Sequence, residues 1–250
     1  MGQPLWPDGA TAVAVSPDGN TVFVTGGATV AYDAATGAQL WASRFTGPFQ
    51  FDFASSIAVS PAGGTVFVTG LTDGGPDDTY WYATVAYNAA DGAQLWASTY
   101  QAIGSFAGSV AVGPGGHAVY VTGVSGYGTS HEAAVTVAYN AASDAQLWAR
   151  AFHGPGRRRA AASAVAVSPG GHTVYVVGGT GGATRADYFT VAYKAATGTL
   201  RWTRRYAGPA GAAAAAAVAA GPAGAHGLRD RRQHRGHLRQ GLRHHRLQRR

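Results

Sequence analysis

SIAVSPAGGTVFVTG at residues 56–70, followed after a spacer by TVAYNAADGAQLWAS at 84–98, decides the fold. The first half reads as two short strands around a turn. Ile57-Ala58-Val59 is an aliphatic run, Thr65-Val66-Phe67-Val68 is β-branched and aromatic, and Ser60-Pro61-Ala62-Gly63 lies between them. Proline presets φ for the turn and glycine accepts a positive φ at no steric cost. The second half repeats the design. Thr84-Val85-Ala86-Tyr87 and Gln94-Leu95-Trp96-Ala97 have strand chemistry, and the turn between them ends on Gly92. No helical period is sustained anywhere along the chain.

The same pair of segments occurs three more times, at 12–26 with 29–43, at 109–123 with 136–150, and at 164–178 with 190–204. The aligned tyrosines Tyr32, Tyr87, Tyr139 and Tyr193 stand 55, 52 and 54 residues apart. Repeats of this length with four short strands, here a to d, are blades of a β-propeller. Helical repeats fail on strand chemistry, and a β-sandwich has no reason to repeat its turns at a fixed period. The expected fold is therefore an all-β propeller of four intact four-stranded antiparallel blades over 1–204, an incomplete ring, with the start of a fifth blade at 205–225. The first blade should be the smallest, because its b–c connection is only Gly26-Gly27-Ala28. Leu5-Trp6 reads as the remnant d strand of a preceding blade.

Two family resemblances sit on these motifs. SPDGNTVFVTG, at 16–26, resembles YVTN-type surface propellers, and YDAATGAQLW, at 32–41, resembles the repeat of pyrroloquinoline quinone (PQQ)-type, quinoprotein-like propellers. Together they cover about 30 residues of each repeat. The quinoprotein resemblance implies an enzyme only where the cofactor site is present. That site typically uses an adjacent cysteine pair against the quinone and a calcium held by acid and amide groups, whereas this chain has no cysteine. The YVTN resemblance implies a secreted or cell-surface protein, although MGQPLWPDG lacks the basic and apolar regions of a signal peptide.

Charge is concentrated at one end. The net charge of +7 comes from residues 227–250, which carry nine arginines against Asp230. The preceding 226 residues hold ten basic and eleven acidic side chains and are nearly neutral. The segment 226–250 abandons the repeat where TVYVTG and a c strand should follow. With the reading frame shifted by one nucleotide near Ala225, synonymous codons allow His226–Arg250 to be reread as TVYVTGASTGATSGKDYATIAYNA. That is a b strand, a loop and a c strand in order. Residues 226–250 are accordingly expected to be an out-of-frame, disordered basic tail, and the chain a truncated piece of a longer propeller protein. A nucleic-acid-binding arm is the rival reading, but the tail has no aromatic residue on which bases would stack. No apolar run reaches the roughly 20 residues of a membrane span.

Residues common to all four copies are expected to be packing residues: Tyr32, Tyr87, Tyr139 and Tyr193 on strand c, and Trp41, Trp96, Trp148 and Trp202 on strand d. Function should lie where the blades differ, on the b–c and d–a connections of one face. The candidate ligand-binding residues there are Asp73, Asp77, Asp78, Tyr80, Trp81, Tyr127, His131, Arg158 and Arg185. The three aspartates form an acidic cluster that suits either Ca²⁺ or a solvated turn; no metal site is assigned. Tyr80-Trp81-Tyr82 suits a sugar or peptide platform or, preferably, the start of strand c. His131-Glu132 is not a zinc motif, and Arg157-Arg158-Arg159 reads as a solvated loop tip. No nucleophile, base and orienting acid come together in sequence, so no catalytic residue and no cofactor are assigned. The expectation is a non-enzymatic propeller module that binds a protein or a carbohydrate through its variable face, or that joins further blades of a longer chain or an oligomer. A quinoprotein-like or lactonase-like enzyme is the alternative.

Overall fold

The computed structural model describes residues 9–45, 52–74, 80–182, 185–208, 213 and 215–221. Sixteen strands form four separate four-stranded sheets, each an antiparallel meander in sequence order. Blade one is β1 (Ala12–Val15), β2 (Thr21–Thr25), β3 (Thr29–Asp33) and β4 (Gln39–Ser43). Blade two is β5 (Asp52–Val59), β6 (Thr65–Asp73), β7 (Tyr80–Asn88) and β8 (Gln94–Tyr100). Blade three is β9 (Phe106–Val112), β10 (Ala118–Ser125), β11 (Ala133–Asn140) and β12 (Gln146–Phe152). Blade four is β13 (Ala160–Val167), β14 (Thr173–Gly182), β15 (Arg185–Lys194) and β16 (Leu200–Tyr206). The only helical element among the described residues is a single 3₁₀ turn at Pro155–Arg157. Blade one is the smallest, with strands of four or five residues against seven to ten in the others.

The repetition extends to backbone irregularities. Every c–d pair carries the same bulge between the alanine and tyrosine of its VAY motif. In blades two to four, strand a bulges opposite the VTG or VVG glycine. The glycine is required there: a Cβ on Gly70, Gly123 or Gly178 would lie 1.9–2.0 Å from a carbonyl oxygen of strand a. The turns behave as their sequences require. Gly19, Gly63, Gly116 and Gly171 close the a–b turns at φ near 71–78°. Asp33 caps the c–d turn of blade one by accepting from the Ala35 and Thr36 amides and the Thr36 hydroxyl.

The apolar cores lie between blades. One cluster joins Phe23 and Trp41 to Ile57, Val66 and Tyr87; a second joins Phe67 and Trp96 to Val110, Val119 and Tyr139; a third joins Tyr120 and Trp148 to Val165, Val174 and Tyr193. Each interface is centred on a d-strand indole tilted against the next blade's tyrosine: Trp41 on Tyr87, Trp96 on Tyr139 and Trp148 on Tyr193, with centroids 6.0–6.4 Å apart. A ring of this size buries about 150–250 Å², or about 4–6 kcal/mol at 25 cal/mol per Å². Burial holds the Tyr139 and Tyr193 hydroxyls up to about 12. Threonine pairs tie strands b and c together inside blades one to three: Thr25 with Thr29, Thr69 with Thr84 and Thr122 with Thr136.

Two of the eight expected packing residues depart from the pattern. Tyr32 and Trp202 are only half-buried, whereas the other six are buried. Among the described residues no blade precedes Tyr32 and none follows Trp202. The described residues after β16 form no strand, although Ala215 is buried. Leu5, Trp6 and the expected out-of-frame segment 226–250 lie outside the described residues.

Candidate functional site

The b–c hairpins and the d–a connections meet on one face. Between blades two and three, the Gly126 and Tyr127 amides donate to the Ile103 and Gly104 carbonyls. Ser105 donates its amide to the Tyr80 carbonyl and its hydroxyl to Ser125. Between blades three and four, the Ala160 amide donates to Glu132, and Gly181 to Arg159. The variable segments are therefore laced to one another on a rigid support, as a binding surface requires.

Here three aromatic rings form a row. Tyr80 opens β7 and lies 5.5 Å from Phe106, and Tyr127 meets the other side of Phe106 edge-on at 5.2 Å. Tyr127 is 63% exposed and Ile103, on the adjoining connection, is 72% exposed. Such a row offers faces and edges to a sugar ring or an apolar peptide side chain. Phe106 escaped the sequence reading, because its role depends on the d–a segment folding under a hairpin twenty residues further on. Tyr82 looks inward: its ring is buried and its hydroxyl donates to the Val135 carbonyl of blade three at 3.3 Å. Trp81 on β7 pairs with Thr72 on β6 and is half-buried, so the aromatic triplet is the start of strand c.

The remaining candidates disperse. Asp73 ends β6 opposite Tyr80, while Asp77 and Asp78 lie outside the described residues. His131 sits on the exposed turn of the blade-three hairpin with its Nδ1 3.2 Å from the Ser130 hydroxyl. Arg158 is exposed beside the 3₁₀ turn, its backbone bridged to Gly154. The backbone of Arg185 begins β15 opposite Gly182. Among the described residues no three His, Cys, Asp or Glu side chains converge as a metal cage. A separate cleft, open to solvent, lies between blades one and two. The short Gly26–Ala28 hairpin leaves it uncovered, and Phe45, Phe53 and Leu71 line it.

Sixteen meandering strands in radially related sheets, with tryptophan–tyrosine interfaces between them, define a PQQ-type β-propeller. Residues 2–221 match the family of the outer membrane protein assembly factor BamB, and the chain belongs to that family. Similar solved folds include the quinohemoprotein alcohol dehydrogenase from Comamonas testosteroni, at a TM-score of 0.59 and 15% identity over 83% of this chain and 37% of that one. Chaetomium thermophilum Sqt1 is similar at 0.55 and 17% over 82% and 50%, and the RRP9 WD40 repeats at 0.50 and 12% over 82% and 65%. The chain thus spans less than two thirds of each of these proteins. No curated protein matches the sequence.

The quinone and calcium that the quinoprotein resemblance implies find no fit among the described residues. There is no cysteine to lie against a quinone, and the described acids do not cluster into a calcium cage. The blade-one cleft is walled by glycine, alanine and aromatic side chains, with Thr25 and Thr29 already bonded to each other.

Proposed function

We propose that this propeller is a non-enzymatic recognition module that binds a protein segment or a carbohydrate on its variable-loop face. The observation that carries this reading is the row Tyr80–Phe106–Tyr127, flanked by the exposed Ile103 and held by backbone hydrogen bonds between neighbouring connections. Pre-ordered aromatic rings supply contact area at little entropic cost. Sqt1 is a fold relative solved bound to the N-terminus of ribosomal protein L10, which illustrates peptide capture by this architecture. The family description associates the module with outer-membrane assembly, and an envelope location is the accompanying proposal.

The test is selection on a phage-displayed peptide library and a glycan array. Ligands should lose binding to Tyr127→Ala and Ile103→Ser while retaining it for Asp18→Asn on the opposite turns. Replacing 71–82 by the short 26–28 hairpin should likewise abolish binding without unfolding. Ligands lost only on changing the SPDG turns would place the site on the wrong face. A PQQ absorbance band formed with Ca²⁺, together with dye-linked alcohol oxidation, would establish the enzymatic alternative instead.

A further inference from the structure

The three interior interfaces repeat one set of contacts, and each contact has a leading half and a receiving half. The indole N–H of Trp41, Trp96 and Trp148 donates to the carbonyl of Ala89, Ala141 and Ala195 on the next blade, at 2.8–3.1 Å. The same rings pack so closely on the next c–d turn that a Cβ on Gly92 would fall 2.5 Å from Trp41, and one on Gly198 2.7 Å from Trp148. Pro17, Pro61 and Pro114 rest 3.4–3.8 Å from where a Cβ would stand on Gly63, Gly116 and Gly171. Thr11 and Ser55 donate their hydroxyls to the Ala54 and Ala107 carbonyls of the next blade. Arg150 reaches the Thr197 and Gly198 carbonyls.

Every leading half exists on blade four without a receiver among the described residues. Trp202 is half-buried with no hydrogen-bond acceptor, Ser163 and Pro169 are exposed, and Arg204 lies over Trp202 with its Nη1 on the Thr203 carbonyl, as Arg150 holds Ala149. Every receiving half exists on blade one without a leader among the described residues. The Ala34 carbonyl is in place, and nothing stands within 4 Å of a Cβ built on Gly19 or Gly37. Val13 is 64% exposed, where its counterparts Ile57, Val110 and Val165 are 7–9% exposed. Apolar clusters join blade one to two, two to three and three to four, and none joins four to one.

We infer that blade four of one copy docks on blade one of a second copy, and that two chains close one ring by two identical head-to-tail interfaces. Trp202 then meets Tyr32 and donates to the Ala34 carbonyl, Pro169 covers Gly19, and Ser163 donates to the Ala10 carbonyl. Arg204 reaches the Thr36 and Gly37 carbonyls. Charge favours this contact over its interior model: Arg150 approaches a turn that carries Lys194, whereas Arg204 would approach one that carries Asp33. Head-to-tail contacts either close or run on as filaments. Two copies of four sheets make eight blades, within the span of about four to eight in closed propellers, and three copies would exceed it.

Sedimentation equilibrium on the complete 250-residue chain tests this. The experiment runs from about 1 to 200 μM, a span that brackets micromolar dissociation constants, at low and at high salt so that the arginine-rich end cannot drive association. The expected species has twice the chain mass of 25.5 kDa at both salts. Val13→Glu, which replaces an exposed side chain, should keep the β circular dichroism and weaken the dimer about 100-fold or more, since a charge would be buried without a partner. Trp202→Ala should weaken it comparably. A monomer at every concentration, a dimer indifferent to Val13→Glu or to Trp202→Ala, or an open ladder of sizes overturns the inference.

Discussion

Gly37 and Gly92 occupy the same position of the same turn, both with φ of 73°, and differ only in what lies over them. Alanine at either must hold a left-handed backbone, which costs about 1–2 kcal/mol. The gain from restricting the unfolded chain is common to both and cancels in the comparison. At Gly37 nothing stands within 4 Å of the new methyl. At Gly92 the methyl would meet Trp41 Cε3 at 2.5 Å and the Ser43 hydroxyl at 2.7 Å. The indole has little room to yield, because its N–H is held by the Ala89 carbonyl and its ring lies between Phe23 and Tyr87. Overpacking of this kind adds about 1–3 kcal/mol. Gly37→Ala should therefore cost about 1–2 kcal/mol and Gly92→Ala about 2–5. With a urea m-value of about 2 kcal/mol/M, the midpoints of the two variants should differ by about 0.5–1.5 M. The melts belong at high dilution, where the blade-one face is uncovered. Equal midpoint shifts would refute the argument that the indole of one blade seats on the glycine of the next.

Gly123→Ala should cost about 3 kcal/mol or more in a thermal melt, because its Cβ would fall 2.0 Å from the Phe106 carbonyl and force the bulge open. It should also impair ligand capture by moving Phe106; a ligand affinity unchanged in a folded variant would detach Phe106 from the site. The Asp18 carboxylate is held below its ordinary value of 3.8 first by the Ser16 hydroxyl, and that of Asp33 first by the Thr36 hydroxyl. The stability these turns contribute is complete above that ordinary value and is lost as pH falls through the lowered folded values. A double change to asparagine should thus flatten the acid limb of the stability profile by lowering the neutral plateau, while stability below the lowered folded values is little affected. Deleting 226–250 should abolish salt-sensitive retention on DNA, since nine arginines leave, while the melting midpoint of the blades holds. Restoring the shifted frame at codon 225 should instead raise that midpoint.

The blades were legible because each repeat states its strands and turns independently, and four statements agree. The VAY tyrosines and d-strand tryptophans were readable as core for the same reason. That reasoning also made Tyr32 and Trp202 look like their counterparts, although burial of each depends on a neighbour that a repeat does not encode. The glycine of VTG carried a signal that went unread: an invariant glycine inside a strand marks a bulge or a close backbone approach. The aromatic row was not legible. Tyr80, Phe106 and Tyr127 come from two blades and the connection between them, and only the pairing of Ile103 and Gly104 with the 126–127 hairpin brings them into line.

Placing apolar clusters between sheets rather than within them gives the molecule the cooperativity of a linear array. An isolated blade has a polar ladder and no interior of its own, so its folding free energy is almost wholly nearest-neighbour coupling. Loss of an end blade removes one coupling, while loss of blade two or three removes two and severs the array. At high dilution, where the chains are apart, amide hydrogen exchange should accordingly be graded along the chain, fastest in β1 to β4 and β13 to β16 and slowest in β6, β7, β10 and β11. A lesion at Trp96 should split unfolding into two transitions, whereas one at an end blade should only shorten the cooperative unit.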